Sequence, residues 1–439
     1  MKLLVLGSGG REHAILWTLN QTSDVALDLY CAPGNAGIAE LATCKPILLA
    51  DHSALIKLVK TEAIDLTIVG PEVPLADGIV DQFERNGLAI VGPNQAAARL
   101  ESSKAFAKDF MARHKIPTAE YRVVNSAEEA KEILRSGAFG PAASRAVVKA
   151  DGLAAGKGVV VANSRAEAEE SVRMLMSGEM IRAEATRQVV IEEALWGREA
   201  SLLLFADGRD YAFMPPARDH KRIGENDTGP NTGGMGAVTG ASILEAETLQ
   251  RVVREIVEPT LAGARAEGFA FRGVLFLGLM ITADGPKLLE YNVRMGDPET
   301  QAILVRLKTS LVDIFEAIRT GRLREVKVEW TNDFSACVVL ASEGYPAEYK
   351  KDIPIEGLDV GISLGDVTVF HAATKRSETG ELVTAGGRVL GVTARAETLE
   401  RALGKCYKAA AQIRWEGMQY RRDIGKFSEL PSKTSSSLG

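Results

Sequence analysis

Short apolar runs alternate with amphipathic stretches along the first hundred residues. Leu3–Leu6, Ala26–Cys31, Asp65–Val69 and Leu88–Val91 are β-rich runs. Each ends in a Gly- or Pro-containing turn: Gly7-Ser8-Gly9-Gly10, Ala32-Pro33-Gly34-Asn35-Ala36-Gly37, Gly70-Pro71-Glu72 and Gly92-Pro93-Asn94. Helical stretches lie between them, beginning with His13–Asn20. This alternation predicts βαβ units and a parallel sheet, with the ligand crevice at the C-terminal strand ends.

The pattern changes near Glu101-Ser102-Ser103-Lys104. A helix over 103–114 leads to Ile116-Pro117. Strands Ala146–Ala150, Gly158–Ala162, Val189–Glu193 and Glu199–Phe205 read as antiparallel, with helices at Ala127–Arg135 and Ala166–Met176 between them. A long glycine-rich loop is expected from Pro216 to Gly240, then a helix at about 245–267. Strands Arg272–Thr282 and Lys287–Arg294 and a helix over 310–320 follow. From about 326, strands Ser335–Ala341, Asp366–Ala372 and Arg388–Thr393 precede the amphipathic helix Leu399–Ile413. The expected fold class is multidomain, α/β and α+β. A Rossmann-like domain over 1–102 precedes a central domain over 103–325, with a lid at about 118–192. A small mixed C-terminal domain over 326–427 and a flexible tail over 428–439 complete the chain.

Composition narrows the function classes. With 46% hydrophobic and 25% charged residues, the 439-residue chain can build ordinary globular cores, which excludes a wholly disordered protein. The net charge of −6 gives no global attraction to nucleic acid or an anionic membrane, so any phosphate site must be local. The tryptophans Trp17, Trp196, Trp330 and Trp415 are too scattered for a nucleic-acid stacking platform. Four separated cysteines, Cys31, Cys44, Cys337 and Cys406, fit a reduced cytoplasmic protein better than a disulfide or zinc framework. Neither a signal peptide nor a membrane span is expected. The 42 glycines exceed ordinary usage and cluster at Gly7–Gly10, Gly34–Gly37, Gly152–Gly158 and Gly224–Gly240. At each cluster, backbone would be able to approach a phosphate or a small substrate.

Five motifs carry candidate chemistry. Gly7-Ser8-Gly9-Gly10-Arg11-Glu12-His13-Ala14 joins a strand to a helix N-terminus, where backbone N–H groups and the helix dipole face an anion. The dinucleotide fingerprint needs glycine where Glu12 stands, which disfavours an NAD oxidoreductase. Lys149-Ala150-Asp151-Gly152 through Gly156-Lys157-Gly158 tempts a P-loop reading, but the spacing is wrong and a strand follows. It reads instead as a hairpin lid over phosphates, with Lys149 as a point charge. Glu192-Glu193-Ala194-Leu195-Trp196-Gly197-Arg198-Glu199 makes a strand-to-strand hinge whose backbone can read an adenine edge, while Glu199 can accept from ribose hydroxyls. In Arg218-Asp219-His220-Lys221-Arg222, Asp219 suits a substrate ammonium and the basic residues suit anions. The fifth, Glu290-Tyr291-Asn292-Val293-Arg294, places a carboxylate, an amide oxygen and a guanidinium on one strand face. Oxygen donors there suit Mg²⁺, and Arg294 suits a carboxylate or a phosphoryl group.

In this order the segments resemble the ATP-grasp enzymes and, among them, the glycinamide ribonucleotide synthetases of purine biosynthesis. The likeness runs from Gly7 to Gly425 and is most distinctive over Lys149–Val161, Asp219–Arg222, Asp227–Ala237 and Gly296–Gln301. It implies ligation of glycine to 5-phosphoribosylamine with ATP, through a glycyl phosphate. It implies ATP contacts from Lys104, Lys149, Gly152, Gly156, Gly158, Glu192, Glu193, Leu195 and Glu199. Gly9, Gly10, Arg11, Gly34, Asn35, Gly37, Pro71 and Glu72 would hold phosphoribosylamine. Asp219 and Arg294 would bind glycine, acting with Lys149 as the catalytic set. Glu290 and Asn292 would hold Mg²⁺ or Mn²⁺, without the acidic ligand that many ATP-grasp enzymes carry on the preceding strand. The resemblance further implies a cytoplasmic monomer or weak homodimer. Competing readings are another ATP-grasp carboxylate–amine ligase, a biotin-carboxylase-like enzyme, and a silent nucleotide-binding protein that kept the fold.

Overall fold

In the computed structural model, residues 1–139, 145–154, 158–177, 188–359 and 366–427 are described. The expected lid-tip residue Gly156 and the tail over 428–439 lie outside them.

The N-terminal run folds as the apolar alternation predicts. Thr43–Cys44, Asp28–Pro33, Lys2–Gly7, Leu66–Val69 and Ile90–Val91 form one parallel sheet in that spatial order. Leu3, Leu4, Val5 and Leu6 are fully buried, as a central parallel strand with both faces covered requires. The chain leaves this sheet through the helices Gln95–Ser102 and Lys104–Arg113. Ser103 has extended backbone between them and caps the second helix by accepting from Phe106 N. The two helices therefore meet at a corner, and Glu101 and Lys104 sit on either side of it.

Tyr121–Val124, Val189–Glu193, Ala146–Ala150 and Val159–Ala162 form a separate antiparallel sheet in that order. Helices Ala127–Arg135 and Arg165–Ser177 cover its apolar face.

The largest sheet runs in the order Gly285–Asn292, Arg272–Thr282, Arg198–Asp207, Ala217–Asp219, Gly236–Thr239, Phe334–Ser342, Arg388–Ala396 and Val367–His371. It therefore crosses the expected boundary at residue 326 without a break. The helix Leu399–Ala410 packs on its far end through Ala402, Cys406 and Ala409. Among the described residues no helix is long and apolar enough to cross a membrane.

Two expectations need correction. The segment from Pro216 to Gly240 is not a structureless loop. Ala217–Asp219 and Gly236–Thr239 join the large sheet, and Arg222–Gly224 pairs with Thr228–Asn231 as a hairpin. Their brevity and their glycines hid the period-two signal. The helix expected at 245–267 is interrupted: Ala246–Val252 and Glu258–Ala266 flank a wider π-type turn at Val253–Val257, just before Pro259. Proline lacks the N–H that a continuous helix would use there.

Candidate active site

The strand Gly285–Asn292 supplies the centre. Tyr291 and Val293 are buried, while Glu290 and Asn292 are turned to the opposite, partly open side; an irregularity in register between Leu288 and Glu290 takes the buried Leu288 out of that alternation. Gly278 lies directly across from Glu290. A methyl group at Gly278 would stand 3.2 Å from Glu290 Cγ, so glycine leaves the carboxylate its room. Four cations surround that carboxylate. Burial alone would raise its pKa, but Lys221, Lys149, Lys104 and Arg294 hold it below the ordinary glutamate range.

Each cation comes from a different element. Lys104 opens its helix and donates to the Gly152 carbonyl at 3.3 Å, and burial lowers its pKa. Lys149 lies on Ala146–Ala150 and donates to the Leu289 carbonyl at 3.1 Å, one residue from Glu290. Lys221 follows Ala217–Asp219 and pairs with Glu199 at 2.9 Å. Its pKa is held well above the ordinary lysine value: burial opposes this, but Glu199, Asp219 and Glu290 outweigh burial.

Arg294 is already engaged. Nε donates to Glu72 at 3.2 Å, Nη2 to Asn292 Oδ1 at 3.1 Å, and Nη2 meets Glu101 Oε1 at 2.8 Å. Nη1 also donates to the Met295 carbonyl at 3.2 Å, which qualifies the simple expectation of a guanidinium free to meet glycine: of its five N–H groups only one on Nη1 remains open. Glu72 is likewise bound to Arg294, with Arg11 at 3.9 Å.

Glu192 differs more. Expected to touch ATP, its carboxylate is almost wholly buried between Lys149 at 2.9 Å and Lys108 at 3.0 Å. Lys108, which sequence reasoning missed, also donates to Thr118 Oγ1 at 2.7 Å, and burial lowers its pKa to about 8. Its signal was present: with Ala105 and Met111 it forms a stripe at helical spacing, so a lysine sits on the buried face. Glu101 carried the same signal, lying with Ala97 and Ala98 on the buried face of its helix. Glu193 accepts from Glu120 N at 3.1 Å and Lys287 at 3.2 Å, while Leu195 is half-buried in the connection to Arg198–Asp207. Gly152 and Gly158 lie near the facing ends of Ala146–Ala150 and Val159–Ala162, and Ala150 N donates to the Gly158 carbonyl at 2.8 Å.

Asp219 ends the strand Ala217–Asp219, and burial raises its pKa to about 7, with Glu299 and Glu199 adding to the rise and Lys221 opposing it. Glu299, buried in Glu299–Leu304, accepts from Ser201 Oγ at 3.3 Å. Asp219, Lys221, Glu199, Glu290 and Glu299 thus share one electrostatic neighbourhood.

The parallel-sheet turns make the second half of the site. Gly9 N was expected to be free for an anion. Instead it donates to Glu12 Oε2 at 2.6 Å. Arg11 pairs with Glu12 Oε1 at 2.6 Å and donates to the Met295 carbonyl at 3.1 Å. The Gly10, Arg11 and Glu12 amides still precede the first helical bond, His13 N to Gly9 O, which preserves an anion-binding helix start. Gly34 and Gly37 bracket Asn35, whose side chain is spent on structure. Its Nδ2 donates to the Ser8, His371 and Ala372 carbonyls, and Oδ1 accepts from Gly37 and Ile38. Pro71 caps the short helix that begins at Glu72.

Glu290 and Asn292 fit a hard divalent cation, since both present oxygen on one strand face and the carboxylate is held ionised. Among the described residues no cluster of three or more His, Cys, Asp or Glu side chains could hold a metal.

The chain matches the phosphoribosylglycinamide synthetase family in three consecutive stretches: the N domain over residues 1–101, the ATP-grasp (A) domain over 102–300 and the C domain over 335–427. It is 47% identical over 425 residues to the phosphoribosylamine–glycine ligase of Brucella melitensis, covering 97% of both chains. It is 48% identical over 428 residues to that of Haemophilus influenzae, covering 97% of this chain and 98% of the relative. The solved phosphoribosylamine–glycine ligase of Thermotoga maritima is 36% identical with a TM-score of 0.81, over 96% of this chain and 100% of that one. The biotin carboxylase domain of Hydrogenobacter thermophilus 2-oxoglutarate carboxylase, solved with MgADP, reaches a TM-score of 0.69 at 16% identity, over 95% and 91% of the two chains. That likeness extends to the fold alone. With nearly full-length relatives above 40% identity, the chain belongs to the phosphoribosylglycinamide synthetase family.

Proposed function

We propose that the crevice between the four-stranded sheet, the strand Gly285–Asn292 and the parallel-sheet turns ligates glycine to 5-phosphoribosylamine with ATP. The activity is that of a phosphoribosylamine–glycine ligase in purine biosynthesis. The observation that carries the assignment to this crevice is that Lys149 bonds the Leu289 carbonyl beside Glu290 and Arg294 bonds Asn292 beyond it, with Lys104 and Lys221 adding to the positive field on the Glu290 carboxylate.

A carboxylate is a poor acyl donor and must be activated. Phosphoryl transfer asks chiefly for positioning and charge neutralisation, and this ring of cations supplies both. ATP lies with its adenine at the Glu193–Leu195 connection and its phosphates under Lys104, Lys149 and the hairpin of Ala146–Ala150 and Val159–Ala162. Glu290 and Asn292 hold Mg²⁺ or Mn²⁺, which when bound neutralises phosphate charge. Asp219 receives the ammonium of glycine, and the open part of the Arg294 fork orients its carboxylate. One carboxylate oxygen attacks the γ-phosphorus and ADP leaves, giving glycyl phosphate. The amine of phosphoribosylamine, held with its phosphate at the helix start Gly10–Glu12, attacks the acyl carbon. Inorganic phosphate departs and the amine loses a proton. The hairpin shields the acyl phosphate from water.

The test is phosphate release from ATP and glycine, with and without phosphoribosylamine. Sustained release should require both co-substrates. Release indifferent to phosphoribosylamine would favour the competing reading, a different ATP-grasp ligase.

A further inference from the structure

The motif Arg422-Asp423-Ile424-Gly425 takes no part in the chemistry above, yet the segment around it is tied to the loop that carries Asp219 and Lys221. Arg421 is 1% exposed. Its guanidinium grips Asp423 through two bonds of 2.8 Å and also donates to Asp227 at 2.8 Å and to the Arg222 carbonyl at 3.0 Å. Asp423 Oδ2 accepts from Asn226 N at 2.8 Å. Gly425 N donates to His220 Nε2 at 2.8 Å. Phe427 stacks on His220 with ring centres 4.6 Å apart and planes 11° apart, and the Arg218 guanidinium lies 3.5 Å from its ring centre.

These contacts converge where the loop is least self-supporting. Asn226 and Asp227 both adopt left-handed backbone, φ 56° and 54°, at the tip of the Arg222–Gly224 and Thr228–Asn231 hairpin. Non-glycine residues hold that conformation only where their surroundings over-determine it. The bonds that do so here come from residues about 200 positions later in the chain. Arg218 and His220, the residues that Phe427 touches, flank Asp219, and Lys221 follows His220.

We infer that Arg421, Asp423 and Phe427 are positioning residues that fix the Asp219–Lys221 loop for substrate binding. The C-terminal segment is a strap across the catalytic loop and acts through it, without touching substrate. The substrate half of this inference rests on the glycine-binding reading above; the positioning half does not.

The experiment uses the full chain with Phe427→Ala, Phe427→Tyr and Asp423→Asn. Amide hydrogen exchange follows His220, Thr232 and Met235, whose N–H groups pair this loop to its neighbours. Steady-state kinetics gives KM for each of the three substrates. Expected are at least tenfold faster exchange at those amides in Phe427→Ala and Asp423→Asn, with the Ala146–Ala150 strand unaltered. KM for glycine should rise at least tenfold and KM for ATP less than twofold, with Phe427→Tyr near the parent on both measures because it keeps the stacked ring. Unchanged loop exchange, or a parallel rise in all three KM values, overturns the inference. Asp219→Asn serves as the separate control. If it leaves KM for glycine unchanged, the glycine-binding reading fails, and the exchange measurement alone decides whether the strap positions the loop.

Discussion

Asp219 is a buried carboxylate poised near neutrality. Burial holds its pKa at about 7, so it is substantially protonated in slightly acidic solution. The sign for folding is that of a raised carboxyl: its contribution is present below the unfolded value of 3.8 and is lost as pH rises through about 7. Ammonium capture has the opposite sign, because only the ionised form attracts glycine. kcat/KM for glycine should therefore rise through an apparent pKa near 7, a limb that reports the free enzyme. Asp219→Asn should remove that limb and raise KM for glycine at least tenfold; a surviving limb would assign it to another group. Glu290→Ala should lower kcat by about 10²- to 10³-fold, the scale seen when one placed electrostatic partner is deleted. Far-ultraviolet circular dichroism should be unchanged, because Glu290 faces the site and the core faces of its strand are kept.

At the scale of elements, the turn after Lys2–Gly7 is built around a buried acid. Glu12 is 2% exposed and fills the space between Gly9 and Gly70, whose backbones close on it. A methyl group at Gly70 would overlap Glu12, which has nowhere to move. Gly70→Ala should cost about 1–3 kcal/mol by overpacking, read as a lower urea midpoint. Little of this was legible in the sequence. The glycines there signalled backbone approach to an anion, and the first acid they approach is the chain's own Glu12. The parallel sheet was legible because its strands are continuous apolar runs, and Glu290, Asn292 and Arg294 because a polar face alternates with Leu289, Tyr291 and Val293. The strands at Ala217–Asp219 and Gly236–Thr239 were not, since three or four residues carry too little periodicity. Lys108 and Glu101 were obscured because their roles depend on partners far along the chain, Glu192 and Arg294.

At the scale of the whole molecule, the C-terminal third completes the site. Arg388 donates to the Gly233 carbonyl at 2.5 Å, to the Asp297 carbonyl at 2.7 Å and to Asp297 Oδ2 at 3.0 Å, fastening two site loops to the large sheet. His371 N donates to His13 Nδ1 at 2.8 Å, and burial, then the facing His371 ring for His13 and the Arg376 guanidinium for His371, lowers the two pKa values to about 3 and about 4. Both rings are therefore neutral joints between the parallel sheet and the large one. Arg388→Ala should leave Asp297 without its charge partner and cost ~3 kcal/mol, measured as an earlier unfolding midpoint, together with a loss of kcat/KM. The net charge of −6 is compatible with two phosphorylated substrates because the cations are concentrated around Glu290 and the whole-molecule field is not what binds them. The central claim is that this ring of cations lets the carboxylate of glycine take the γ-phosphoryl group before the amine arrives. Turnover of glycine labelled with ¹⁸O in both carboxylate positions, with ATP and phosphoribosylamine, tests it most directly. One labelled oxygen should appear in each inorganic phosphate released, and unlabelled phosphate alongside product would contradict the account.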